Sequence, residues 1–151
     1  MITSITGNGG MRLELTNDLS ELGAMAEAVE GLCERMGVDE GVVTAINLAL
    51  EEIVTNVISY AYHDGGDHRI LIDVTLMDGV FTARIEDDGV PYDPLARDPP
   101  ELDVPLEERR IGGLGVHLVK NLMDDVTYVR QHDRNVLTMR KSTSPGGADA
   151  G

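Results

Sequence analysis

The order of patterns along this chain predicts a two-layer α+β sandwich, one antiparallel sheet with helices over one face. Three observations lead to it. Residues 18–36 and 39–63 each keep an apolar stripe at helical spacing. Residues 69–87 and 125–141 each alternate in period two around a short polar turn. The strands arrive as adjacent hairpins, not alternating with helices, so they suit an antiparallel sheet covered on one side.

Each element has its own warrant. Residues 1–10, with their Gly, Ser and Asn, are expected to be a flexible N-terminus, and the domain is expected over residues 11–141. Met11 to Thr16 alternates as a short strand. Asp18 or Ser20 can cap a helix reaching about Met36, with Leu22, Met25, Val29 and Leu32 on its stripe, and Gly37 stops it. A second helix starts near Asp39 or Glu40 and runs to about His63, burying Ile46, Leu50, Ile53, Val57 and Ala61. Asp64-Gly65-Gly66-Asp67 reads as a turn. Strands from Arg69 to Met77 and from Val80 to Asp87 meet at Asp78-Gly79, a strong hairpin signal. From Asp88 to Gly113 the chain is rich in Pro, Asp and Glu without sustained periodicity, so a long loop is expected. Leu114 to Met123 reads as a helix. Asp125 to Gln131 and Asn135 to Lys141 form a second hairpin around His132-Asp133-Arg134. Residues 142–151 are expected to be a disordered tail.

Composition narrows the function classes. Twelve Lys and Arg stand against 27 Asp and Glu, a formal charge of −15. A nucleic-acid duplex must be met by positive charge, so direct nucleic-acid binding is not expected. With no Trp and one Phe, an aromatic platform for single strands is not expected either. No apolar run is read as approaching the ~20 residues that span a bilayer, so no membrane partner is expected. Cys33, the single cysteine, reads as a small core hydrophobe in a reducing compartment, which makes the cytoplasm the expected setting.

Three short motifs carry chemistry. In Glu52-x-x-x-Asn56 a carboxylate and an amide oxygen project from one helix face about 6 Å apart along the axis. That pair suits handling a hydroxyl proton and a magnesium ion, although the same spacing also occurs on ordinary solvated helix faces. Glu51 would pair with Thr55 instead, a weaker site. In Ile85-Glu-Asp87-Asp-Gly89, alternation puts Asp87 on the apolar face with Phe81, Ala83 and Ile85. A carboxylate there needs donors, such as an exocyclic amine; capping the strand end is the plainer alternative. Gly89 would let the backbone approach a flat ligand. In Ile111-Gly112-Gly113-Leu114-Gly115, glycines enter a helix, so successive N–H groups can wrap an anion. Arg109 and Arg110 just upstream could neutralise the outer charge.

In this order and on this background the motifs resemble the N box and the two Gly boxes of the GHKL ATPase and kinase superfamily. The strings Leu48-Ala-Leu-Glu-Glu-Ile-Val-Thr-Asn56, Asp87-Asp-Gly-Val-Pro-Tyr-Asp-Pro94 and Gly112-Gly-Leu-Gly-Val-His-Leu-Val119 resemble its branch of anti-sigma-factor serine/threonine kinases. The resemblance implies a Bergerat ATP-binding sandwich, ATP and Mg²⁺ as cofactors, and transfer of phosphate to a STAS-type anti-anti-sigma protein. A sigma factor would be the second partner, and a homodimer the frequent state. It implies Glu52 as general base and Asn56 as Mg²⁺ ligand. Asp87 would accept from the adenine amino group, with Gly89 making room for the base. Gly112, Gly113, Leu114 and Gly115 would hold phosphates, Arg110 would reach the outer one, and residues 90–112 would form the lid. A module that sequesters a sigma factor under ATP control, with little transfer, is the alternative. One departure concerns the superfamily's adenine-side threonine. Asn135 occupies the likeliest position for it, and Thr138 lies three residues on.

Overall fold

A computed structural model of the chain describes residues 1–96 and 115–143. In chain order they form β1 (Ile2–Gly7), β2 (Gly10–Thr16), α1 (Leu22–Arg35), α2 (Glu40–Tyr60), β3 (Arg69–Met77), β4 (Val80–Asp87), α3 (Gly115–Leu122), β5 (Asp125–Gln131) and β6 (Arg134–Ser142). Short 3-10 turns cover Leu19–Glu21 and Pro94–Ala96. The strands build one six-stranded sheet in the order β1-β2-β3-β4-β6-β5, every neighbouring pair antiparallel.

The β3–β4 and β5–β6 hairpins turn on left-handed residues, as tight two-residue turns require. Asp78 and Gly79 have φ of 53° and 76°, and His132 and Asp133 have 51° and 60°. The resulting register stacks inward residues in cross-strand rows. Met11, Val74, Ala83 and Met139 form one row; Leu13, Ile72, Ile85 and Leu137 form the next. Because side chains alternate across a pleated sheet, all of these point to one face, and all are buried. Against them pack Met25, Val29 and Leu32 of α1, Ile46, Leu50, Ile53 and Val57 of α2, and Val119 of α3. The helical stripes read from sequence are therefore the core.

The outer face of the sheet is charged. Arg12 donates to both carboxylate oxygens of Asp73 at 2.7 and 3.0 Å, and Glu86 lies between Arg84 at 2.7 Å and Arg134 at 3.3 Å. Exposed pairs of this kind add little stability and instead keep the face wet.

Three details differ from the sequence reading. Residues 2–7, expected to be flexible, form the edge strand β1 on β2. All six are exposed, so no alternation marks them, and the backbone ladder alone makes the strand. Second, α2 stops at Tyr60, short of His63, where the Ala61 N–H closes the last turn on the Val57 carbonyl. Third, α2 is 21 residues long with a mean hydropathy of 1.4, enough by length and composition to cross a membrane. Its apolar residues are instead the centre of the core. Cys33 is a free, buried thiol. Of the expected disordered tail, Ser142 belongs to β6 and the Thr143 N–H donates to the Gly79 carbonyl at 2.8 Å, while 144–151 lie outside the described residues.

Candidate functional site

α2 carries the first half of the site. Asp39 caps it by accepting from the Gly41 N–H at 3.2 Å. About five turns on, Asn56 is fully buried. Its Nδ2 donates to the Glu52 carboxylate and to the Glu52 carbonyl, each at 2.9 Å. Those two acceptors fix the amide orientation, so Oδ1 faces the other way. Among the described residues no donor reaches that buried Oδ1. An unmet buried carbonyl costs about 1–3 kcal/mol and calls for a partner the protein does not supply. A hard cation that takes oxygen ligands fits it. Among the described residues no three His, Cys, Asp or Glu gather into a metal cluster. A magnesium ion would thus be held by Asn56 together with a ligand's own oxygens. Glu51 is not brought here; it lines an acidic groove between α1 and α2 with Glu30, Glu34 and Glu40.

Asp87 ends β4 on the core face, as its alternation requires, in a row with Leu15, Ile70 and Asn135. It is 2% exposed. Oδ1 accepts from the Gly89 N–H and from Asn135 Nδ2, both at 2.9 Å. Burial raises the carboxyl above its ordinary range, and those two hydrogen bonds pull it back. Both of these donors fall on Oδ1.

Gly89 follows for a steric reason. A Cβ there would run into the Ala61 carbonyl oxygen and lie 2.8 Å from Ala61 C and Cβ. The Val90 N–H donates to that same carbonyl at 2.8 Å. So the close approach that demands glycine is to the end of α2. This contact also joins the two halves, because Asn56 lies five residues, about 7.5 Å, back along the helix from Ala61. Tyr92 packs on Tyr60 with ring centroids 5.7 Å apart.

The third wall was missed by the sequence reading except for Asn135. Asn135 Nδ2 also donates to the Val90 carbonyl at 2.8 Å, and its Oδ1 accepts from the Tyr92 N–H at 3.1 Å and from the Tyr128 hydroxyl. Arg130 donates to Asn135 Oδ1 at 3.2 Å and to the Gly89 carbonyl at 2.8 Å. Counting back through the His132-Asp133 turn pairs Arg130 with Asn135 and would have found it. Thr138 sits an odd number of residues from Asn135, opposite Arg84, on the outer face. It is thereby excluded from the site.

Behind Asp87, His68 lies between two carboxylates. Nε2 is 2.9 Å from Asp64 and Nδ1 is 3.3 Å from Asp88. With an acceptor at each ring nitrogen the protonated imidazolium is favoured, and Asp64 raises its pKa above the ordinary value. Tyr62 stacks on the ring at 4.3 Å, and burial pushes its hydroxyl pKa up.

Arg109, Arg110, Gly112, Gly113 and Leu114 lie outside the described residues, as does most of the expected lid. Gly115 opens α3, which packs against α2.

Residues 15–141 match the family described as Histidine kinase-like ATPase domain. Serine-protein kinase RsbW of Listeria monocytogenes is 29% identical over 103 residues, 66% of each chain. The match therefore spans just under two thirds of that relative. Serine-protein kinase RsbW of Oceanobacillus iheyensis is 28% identical over 115 residues, 74% of this chain and 73% of that one. Anti-sigma F factor of Bacillus velezensis is 38% identical over 86 residues, 56% of this chain and 58% of that one. Among solved structures, the RsbU and RsbW domains of a Mycobacterium tuberculosis protein superpose with a TM-score of 0.62 at 16% identity. That likeness covers 89% of this chain and 33% of the other, and it concerns the fold.

Proposed function

Because the chain belongs to the histidine kinase-like ATPase domain family, we propose that it is an ATP-dependent protein serine/threonine kinase. The observation that carries the reading is the Glu52–Asn56 pair: a carboxylate oriented by an amide whose buried oxygen has no partner among the described residues. Asp87 Oδ2 accepts from the adenine amino group, and the strap at Gly89 gives the base its edge. Asn56 Oδ1 would hold Mg²⁺ together with the nucleotide's phosphate oxygens, and the ion would draw negative charge off those oxygens. Glu52 accepts a hydrogen bond from the incoming serine or threonine hydroxyl. As the hydroxyl oxygen bonds to the γ-phosphorus and the bond to ADP breaks, Glu52 takes the proton. Holding this line of atoms is most of what phosphoryl transfer asks of a protein.

The relatives' names, serine-protein kinase and anti-sigma factor, support a place in a partner-switching circuit in the cytoplasm. The acceptor would be a STAS-type anti-anti-sigma protein, and a sigma factor the partner released or held. Incubation with γ-labelled ATP, Mg²⁺ and such an acceptor tests the reading. Wild type transfers label, and Glu52→Gln lowers transfer about 10²–10⁴-fold with ATP affinity unchanged. Undiminished transfer by Glu52→Gln refutes the base, and absence of ATP binding by wild type refutes the whole reading.

A further inference from the structure

Every hydrogen-bonding position of one side-chain amide is taken at the rear of the Asp87 pocket. An asparagine amide offers two donor hydrogens and two acceptor lone pairs. On Asn135 both hydrogens are engaged, by Asp87 Oδ1 at 2.9 Å and the Val90 carbonyl at 2.8 Å. Its oxygen accepts from the Tyr92 N–H at 3.1 Å, the Tyr128 hydroxyl and Arg130 Nη1 at 3.2 Å. A flipped amide would set Oδ1 against a carboxylate and a carbonyl, so only one orientation satisfies the network. The side chain is 3% exposed and keeps no donor for a ligand.

We propose that Asn135 is a positioning residue of the adenine pocket: it occupies Asp87 Oδ1 and ties Val90 and Tyr92 to β6, so Oδ2 is the acceptor presented to the base. The inference rests on the ATP reading for the identity of the ligand, while the control over Asp87 stands on the protein's own geometry. Asn135 works from behind the pocket and does not touch the purine. Arg130 shares the task by holding the Gly89 carbonyl at 2.8 Å. A threonine at this position has one hydroxyl and could not bridge Asp87, Val90 and Tyr92 together. Loss of the amide removes the hydrogen bond that most opposes the effect of burial on Asp87, so the carboxyl would hold its proton to higher pH.

The test compares wild type, Asn135→Ala and Tyr128→Phe by calorimetric titration with Mg-ATP from pH 5 to 8.5. A carbon-13 NMR titration of the Asp87 carboxyl in the nucleotide-free proteins runs beside it. Asn135→Ala is expected to bind ATP about tenfold more weakly at pH 7.5, the scale of one lost charge-assisted hydrogen bond. The acid limb of binding and the Asp87 titration both move to higher pH. Tyr128→Phe, which keeps the amide but removes one of its anchors, moves them less in the same direction. Unchanged affinity and an unchanged Asp87 titration in Asn135→Ala overturn the proposal. Should that variant not fold, an unchanged Asp87 titration in Tyr128→Phe overturns it equally. If wild type binds no ATP yet the Asp87 titration moves in Asn135→Ala, the ligand reading fails and the positioning stands.

Discussion

Replacing Gly89 by alanine puts a methyl group where the structure has none to spare. The new Cβ would sit 2.8 Å from Ala61 C and Cβ, whereas carbon atoms in contact rest at about 3.5–4.0 Å. Relief therefore needs a shift approaching 1 Å. The obstacle is the capping residue of α2, not the tip of a flexible side chain, so the strap must move. Moving it breaks the 2.8 Å bond from the Val90 N–H to the Ala61 carbonyl. Overpacking costs about 1–3 kcal/mol, and the lost hydrogen bond about 1, for a total near 2–4 kcal/mol. At about 2–4 °C per kcal/mol for a domain of this size, the melting temperature should fall by roughly 5–15 °C. Gly31, inside α1, is the control, because a Cβ there meets only the end of Arg35 at 3.5 Å. Gly31→Ala should stabilise by up to about 1 kcal/mol through helix propensity. Thermal melts of the two variants, with ATP titrations at 20 °C, read both effects. A Gly89→Ala protein melting within 2 °C of wild type with undiminished ATP affinity would refute the steric account.

Asp87→Asn keeps the Asn135 and Gly89 bonds through its amide oxygen but offers the base an NH₂ where Oδ2 stood. ATP affinity should fall at least tenfold while the melting temperature holds or rises, since a buried charge is removed; equal affinity would release Asp87 from the adenine role. His68 has a folded pKa raised above the ordinary histidine value of about 6.5, chiefly by Asp64. Its stabilising effect is full below that value and fades as pH rises through the folded pKa. Wild type should therefore lose melting temperature upward from about pH 6.5 in a step that His68→Gln lacks, and parallel profiles for the two proteins would dismiss the imidazolium bridge.

Much of the site could be read from residue order because it depends on periodicity. Asp87 is inward because Phe81, Ala83 and Ile85 are, and Glu52 and Asn56 share a face because a helix repeats every 3.6 residues. What resisted reading depends on contacts between distant segments. Gly89 is glycine on account of Ala61, and nothing near it in the chain says so. The role of Asn135 requires the β4–β6 and β5–β6 registers together, and Arg130 is invisible without them. β1 escaped for the opposite reason. A strand that buries neither face writes no apolar pattern.

Those same distant contacts set when the pocket can exist during folding. The bonds that close it join residues 41 to 48 positions apart in sequence. Each must wait for β4 and the β5–β6 hairpin to pair, because closing long loops precedes any reward from such contacts. The pocket is thus expected to close late, after the rate-limiting barrier has been crossed. A nucleotide that fits only the finished pocket should slow unfolding and leave the refolding rate almost untouched. For this chain the ligand would act as a latch on the folded state, without helping the protein to reach it.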